Sequence, residues 1–440
     1  MEKRHPLTIN RRKFIGLAAG AAVAPASVRS LPVADAGSEN DKIAADRRAA
    51  MDILKPSSRE LDRARELHAH SVVLDTYGFG PAAAVDNEVL AKLVKSGASE
   101  WEIKDARGDM AMTRFVTDPA ERAEYESAWE AAGVTCIVRN AGEEGNNPLQ
   151  LMKRLARWIY VTDHLRANFP KAVKADDIVA AKKAGHRAIM LTTNGVPLVQ
   201  QWLNMRDELR FIRVFAEMGV RMMHVTYNRQ NPLGTGCGEA FDGGLTDFGR
   251  LAVAELNRQG VLADVAHSSQ KTSFDTAKVS TRPMIASHSG AAAINPHIRC
   301  KQDEVIRAIA DTGGLIGICC INGFLGRGND INAFLDHIDY VAKKFGVDHV
   351  GIGTDVGYSS RLRPGDVRLP ARPPTRARWE GLWPPGSRGA GTRDPRAIAS
   401  LAWTNWPMFT VGLVQRGYRD ADIQKILGDN MLRVMRASES

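Results

Sequence analysis

His267, His288 and Asp355 are the residues of this chain whose types and placement best suit chemistry. Two imidazoles and a carboxylate can hold one divalent cation and leave positions for water and a ligand, or the carboxylate can take a proton from that water. Each of the three closes a short apolar run: Leu262-Ala263-Asp264-Val265-Ala266-His267, Met284-Ile285-Ala286-Ser287-His288 and Val350-Gly351-Ile352-Gly353-Thr354-Asp355. A lone histidine in such a run more often bonds a backbone carbonyl in the core. Two of them, each beside small Ser or Ala side chains that leave space, favour a site. The other nine histidines carry no such signal. His68 and His70 form a His-x-His pair, but they precede the first strand and read as surface helix residues. Cys237, in the Gly/Asn-rich stretch 227–239, reads as structural, because a reactive thiolate needs a base or cation beside it. Cys319 and Cys320 lie inside an apolar strand and read as core.

The elements that position these residues alternate. Apolar, β-branched runs recur at 72–75, 134–139, 188–193, 221–227, 261–267, 283–288, 314–320 and 350–355, each bounded by Gly, Asn or Pro. Most are separated by one helix length, for example 203–217, 246–258, 303–311 and 331–345. Eight strand–helix units predict an α/β fold of the (β/α)8, TIM-barrel type. In such a barrel the chemistry sits at the C-terminal strand ends, here Asp75 to Phe79, Asn140, Asn194, Tyr227, His267, His288, Asn322 and Asp355. No GxGxxG follows the first strand, so a dinucleotide-binding open sheet has no support. Two stretches, 76–132 and the arginine-rich 359–396, are insertions; loops of that length are usually functional or disordered.

At 440 residues, 44% hydrophobic and 25% charged, the composition excludes wholesale disorder. No apolar run reaches the ~18–20 residues of a spanning helix. The net charge is +9, but Lys3, Arg4, Arg11, Arg12 and Lys13 sit in the first 26 residues against Glu2 alone. What is left is too mild and scattered for a nucleic-acid partner. Five irregularly spaced cysteines predict no disulfide framework. Asn10-Arg11-Arg12-Lys13-Phe14-Ile15, followed by a weakly hydrophobic Ala/Gly stretch, resembles a twin-arginine (Tat) signal, with small residues for cleavage at Ala24-Pro25-Ala26. Residues 1–26 are thus expected to be a signal, 27–70 a helical cap and linker, and 71–437 the barrel. Export, most simply to the periplasm, follows, with the Tat translocase as a transient partner.

Gly244-Leu245-Thr246-Asp247-Phe248-Gly249, Asn257, Leu262 to His267, Ala286-Ser287-His288-Ser289, Arg299 with Asp303, Gly351 to Asp355 and Ile426-Leu427-Gly428-Asp429-Asn430 together resemble the renal (membrane) dipeptidase family, peptidase family M19. The likeness runs over roughly residues 60–437. It implies a (β/α)8 barrel with two zinc ions that hydrolyses dipeptides, and often a homodimer. It also implies that His267 and His288 are zinc ligands, Arg299 a clamp for the substrate carboxylate, and Asp355 a proton-handling catalytic acid. The correspondence is incomplete. Where the family's first strand ends in a His-x-Asp metal pair, this chain has Tyr77 and Phe79; its bridging glutamate is Asn194, and its substrate-touching histidine is Tyr227. Asn194 cannot offset the repulsion of two dications, so at most one zinc or similar ion is expected, on His267 and His288 with or without Asp355. Tyr77, Tyr227 and Asn194 then line the pocket. The expected function is action on, or binding of, a small peptide or peptide-like carboxylate, with amide hydrolysis by a reduced site. The alternative is a non-peptidase factor for maturation of an exported peptide metabolite, as in pyoverdine maturation. Arg299 has a competing reading as a structural salt bridge to Asp303.

Overall fold

Strands of almost wholly apolar, β-branched sequence pair in parallel and in chain order in the structure, a computed structural model that describes residues 40–141, 148–362 and 391–439. They are β1 (Leu74–Gly78), β2 (Cys136–Asn140), β3 (Ala188–Thr193), β4 (Val220–His224), β5 (Leu262–Asp264), β6 (Ile285–Ser289), β7 (Leu315–Ile318) and β8 (Val350–Ile352). Every residue of β3, β5, β6, β7 and β8 is buried, as strands covered on both faces require. Helices alternate with them, and the result is the nearly closed (β/α)8 barrel expected from the eight runs.

Side chains close the seam between first and last strands. The Thr354 amide and hydroxyl donate to the two oxygens of Asp75 at 2.9 and 2.7 Å, and the Trp403 indole adds a third bond at 3.0 Å. The Asp355 amide then donates to the Tyr77 carbonyl at 2.9 Å. Within the barrel, the Thr76 hydroxyl lies 2.7 Å from Ser287 O and 3.0 Å from Ile352 O. Gly317 and Gly353 make this approach feasible: a Cβ on either would lie 2.0 or 1.9 Å from Ser287 O.

The helices follow local rules. Asp247–Arg258 starts where the Thr246 hydroxyl caps the Gly249 amide at 2.9 Å. Ile331–Phe345 buries Ile331, Phe334, Leu335, Ile338, Val341 and Phe345, a single stripe at helical spacing. The 76–132 insertion is largely helical (Asn87–Lys95, Glu100–Thr117, Pro119–Ala132), joined by stacking of Phe115 on Tyr125. Residues 1–26, expected to be a signal, the expected linker up to residue 39, and most of the arginine-rich 359–396 stretch lie outside the described residues. No helix of the described residues is long and apolar enough to cross a membrane.

Several details differ from the sequence reading. β4 stops at His224, β5 at Asp264 and β8 at Ile352, each three residues before the expected end. Val225 N to Asp264 O and Val265 N to Ile285 O are the last ladder bonds of β4 and β5, and beyond them Ser268 N folds back onto Val265 O. His68 is not a surface residue. Its helix Ser58–His70 packs its Ala64, Leu67 and His68 face inward, and the ring bonds Thr410 Oγ1 at 2.8 Å and Ala132 O at 2.9 Å. All five cysteines are free and buried.

Candidate functional site

Three imidazoles converge at the mouth of the barrel, one more than the sequence reading identified. His267 follows β5 and His288 lies in β6; their Nε2 atoms are 2.8 Å apart. His224, the last residue of β4, joins them: one ligand nitrogen from each ring lies within 4.8 Å of the others. His224 was passed over because Tyr227, three residues on, had been taken as the strand end. The register that pairs His224 with Asp264 in β5 is the signal that would have found it. Asp355 does not join this group; among the described residues the cluster is formed by the three histidines.

Each ring is held by its Nδ1. That of His224 faces Thr193 O at 2.9 Å, that of His267 faces Asn228 Oδ1 at 2.6 Å, and that of His288 faces Ser287 Oγ at 2.8 Å. The Ser287 hydroxyl in turn donates to Asp264 Oδ2. Asn228 has the φ of +59° that asparagine tolerates, and its amide oxygen also receives the Cys237 thiol at 3.3 Å. Burial lowers the pKa of all three histidines, most for His267 and His288, where the Arg299 charge adds to it. They are therefore neutral bases near pH 7.

Tyr77 and Tyr227 flank the cluster. The Tyr77 ring stacks on His288 at 3.9 Å and Tyr227 on His267 at 4.0 Å. The Tyr77 hydroxyl donates to Asn194 Oδ1 at 2.9 Å. These two residues stand where the resemblance expects metal ligands, and they satisfy each other as neutral groups. Burial raises the Tyr77 pKa, so its phenol keeps the proton. Phe79 is 44% exposed and offers no donor. The family's two-zinc ligand set does not fit these residues.

Arg299 is buried, with Nε toward Ala266 O at 3.3 Å and Nη2 toward His288 O at 3.2 Å. The expected alternative partner, Asp303, is engaged instead by Lys344 at 2.6 Å and by the Tyr340 hydroxyl. Among the described residues no carboxylate forms an ion pair with Arg299. Lys301, also buried, bonds Ser268 O at 2.7 Å and Ser273 Oγ at 3.0 Å, and burial brings its pKa down to about 8. Asp355 is partly buried three residues beyond β8 with φ +56°, and desolvation lifts its pKa to about 7 against the pull of Arg299. Such a carboxyl can both give and take a proton near neutrality. Cys237 has its pKa raised by burial, which argues against a thiolate nucleophile. Asn140 accepts the Trp158 indole with its carbonyl, and Asn322 donates to Thr392 O.

A parallel barrel thus gathers imidazoles, a raised-pKa carboxyl and a guanidinium with no ion pair among the described residues near the C-terminal strand ends, the face at which barrels of this type carry their sites. The chain matches the model of the membrane dipeptidase family, peptidase family M19, over residues 61–363, and it belongs to that family. It is 27% identical over 273 residues to a dipeptidase of Claviceps purpurea, covering 61% of this chain and 55% of that one. The chain thus spans about half the length of this curated relative. Among solved structures, an amidohydrolase from Pseudomonas aeruginosa is similar at 25% identity and TM-score 0.60, covering 85% of this chain and 98% of that one. The probable dipeptidase PvdM from the same organism shares the fold at 19% identity and TM-score 0.61, over 87% and 98% of the two chains.

Proposed function

We propose that this protein takes a small peptide or peptide-like ligand by its carboxylate at Arg299, and that any amide hydrolysis it performs uses at most one divalent metal. The carrying observation is the buried Arg299 guanidinium, held by two carbonyls and paired with no carboxylate among the described residues, beside the histidine cluster. A buried cation without a counter-ion is costly, and a ligand carboxylate removes that cost through the bidentate pairing a guanidinium favours. A metal held by the histidines would polarise a carbonyl and lower the pKa of water. The chain's own contribution is Asp355, poised to carry a proton, and Arg299, which fixes the ligand.

Tyr77 and Asn194 support a second reading, a binding or maturation factor for an exported peptide metabolite without peptidase activity. They stand at a first-strand ligand position and at the bridging position, and fill both with neutral groups already bonded to each other. The fold likeness to PvdM is compatible with it. Export rests on the Arg11-Arg12 pair and the apolar stretch behind it. Arg11→Lys with Arg12→Lys is expected to retain the protein in the cytoplasm; unchanged periplasmic yield removes that part of the proposal.

The test of the ligand reading is a panel of L,L and L,D dipeptides on the zinc-supplemented mature protein, read by calorimetry and by product formation. Binding with very slow or absent turnover is expected. Arg299→Ala should weaken binding by about 2–5 kcal/mol, the cost of removing one partner of a buried charged pair. Affinity indifferent to that change overturns the carboxylate reading. Rapid turnover that vanishes in Asp355→Asn overturns the reduced-activity reading and restores an ordinary dipeptidase.

A further inference from the structure

We propose that His224, His267 and His288 form a three-imidazole site for one divalent cation of the zinc, copper or nickel class, a ligand set distinct from the paired-metal set of the family. The inference deepens the one-metal reading above and rests on it. The hydrogen bonds assign the tautomers. Thr193 O can only accept, so His224 carries its proton on Nδ1. Ser287 commits its own proton to Asp264, so its oxygen accepts from Nδ1 of His288. The Asn228 amide oxygen accepts from Nδ1 of His267 as it does from the Cys237 thiol. All three Nε2 atoms are therefore left with lone pairs. Binding the far ring nitrogen to a carbonyl, an amide or a carboxylate relay is the arrangement that orients metal-ligating imidazoles.

Two of these lone-pair nitrogens, on His267 and His288, sit 2.8 Å apart, hydrogen-bond distance with no proton assigned between them. The third is more telling. Nε2 of His224 is fully buried and makes no hydrogen bond, although Asp264 Oδ2 is 3.2 Å away. Asp264 is already engaged by the Ser287 hydroxyl, the Ala266 amide at 2.9 Å and the Ser287 amide at 3.0 Å. A buried polar atom with no partner calls for a missing one. The separations of 2.8 Å and at most 4.8 Å bracket the roughly 3.4 Å edge of a tetrahedron with bonds of ~2.1 Å. With no carboxylate in the set, hard ions such as magnesium and calcium are disfavoured. Three neutral imidazoles leave the full charge of the ion in place, next to Arg299 and Lys301. The open position accordingly selects an anion, such as the carboxylate end of a peptide.

The experiment is a Co2+ titration of the metal-stripped full-length protein, followed by visible absorption and by elemental analysis. One ion per chain with the intense bands of a tetrahedral site is expected. His224→Gln should lose the bands and weaken binding by more than the about 10–100-fold that removing an outer partner costs. Ser287→Ala should fall within that range, and His349→Gln, away from the cluster, should bind as the parent does. If His224→Gln does not fold, X-ray absorption on the zinc-loaded parent decides: scattering from three imidazoles is expected. Unchanged cobalt binding in folded His224→Gln, two imidazoles by X-ray absorption, two ions per chain, or no binding at all each overturn the proposal. Loss of peptide affinity in Arg299→Ala is read separately. Intact cobalt bands with no Arg299 dependence would sink the ligand reading and leave the metal site standing.

Discussion

On the β1 and β3 side of the barrel mouth, Tyr77 donates its proton to Asn194 and lays its ring against His288. On the β4 to β6 side, three imidazoles point nitrogens at one another and one of those nitrogens has no partner. Both regions are buried and both occupy strand ends of one barrel. The first is complete as it stands: a neutral donor meets a neutral acceptor, and nothing charged is needed. The second is complete only with a cation. Under the one-metal proposal, one half of the mouth is closed by mutual hydrogen bonding while the other holds the ion.

The largest expected effect tests that need directly. Zinc at about 100 times its dissociation constant should stabilise the parent by about 2.7 kcal/mol, by mass action on the folded state. Thermal or chemical unfolding of His288→Gln should show none of this gain. Equal gains in both proteins would erase the difference between the two halves. Asp355, at the seam between them, gives a smaller effect that depends on pH. Its carboxyl is lifted to about 7 in the folded chain but titrates near 3.8 when unfolded, so folding takes up a proton in that window. Stability from this group falls as pH rises from about 4 to 7. Asp355→Asn should flatten the slope in metal-free denaturation by up to about 1.4 kcal/mol per pH unit. Some slope of the same sign should persist, because Asp75 is likewise lifted to about 7. A slope identical to that of the parent would show that Asp355 is ionised throughout. The smallest effect belongs to the closed half. Tyr77→Phe should cost about 1 kcal/mol of stability, one hydrogen bond, with cobalt binding unaltered. A large loss of metal affinity in that variant would mean that the phenol belongs to the cation site.

The barrel was legible because parallel strands buried on both faces are near-continuous apolar runs, and residues such as Ile189, Met190 and Leu191 cannot be anything but interior. His267 and His288 were visible as polar residues closing such runs. His224 was not, because it lies within an apolar run rather than at its apparent end. Where β4 stops is set by its pairing with β5, which ends at His224 and Asp264, a tertiary fact. His68 misled for the opposite reason: a helix of mostly charged or polar neighbours in sequence says nothing about which of its faces meets Thr410 and Ala132. The choice between a clamp and a salt bridge for Arg299 needed the position of Lys344, 41 residues beyond Asp303, which takes that acid away.

The five buried thiols bear on how the molecule survives where it works. Burial pushes Cys300 up to about 12 and drives Cys136, Cys319 and Cys320 higher still. Peroxide and disulfide reagents react with the thiolate, and at neutral pH this fold holds almost none. Brief exposure of the folded protein to peroxide or a disulfide reagent is therefore expected to leave these free sulfurs largely unmodified. Its vulnerable moment is the unfolded chain, where Cys319 and Cys320 lie side by side and titrate normally. A chain that folds before it meets oxidants passes that moment in safety.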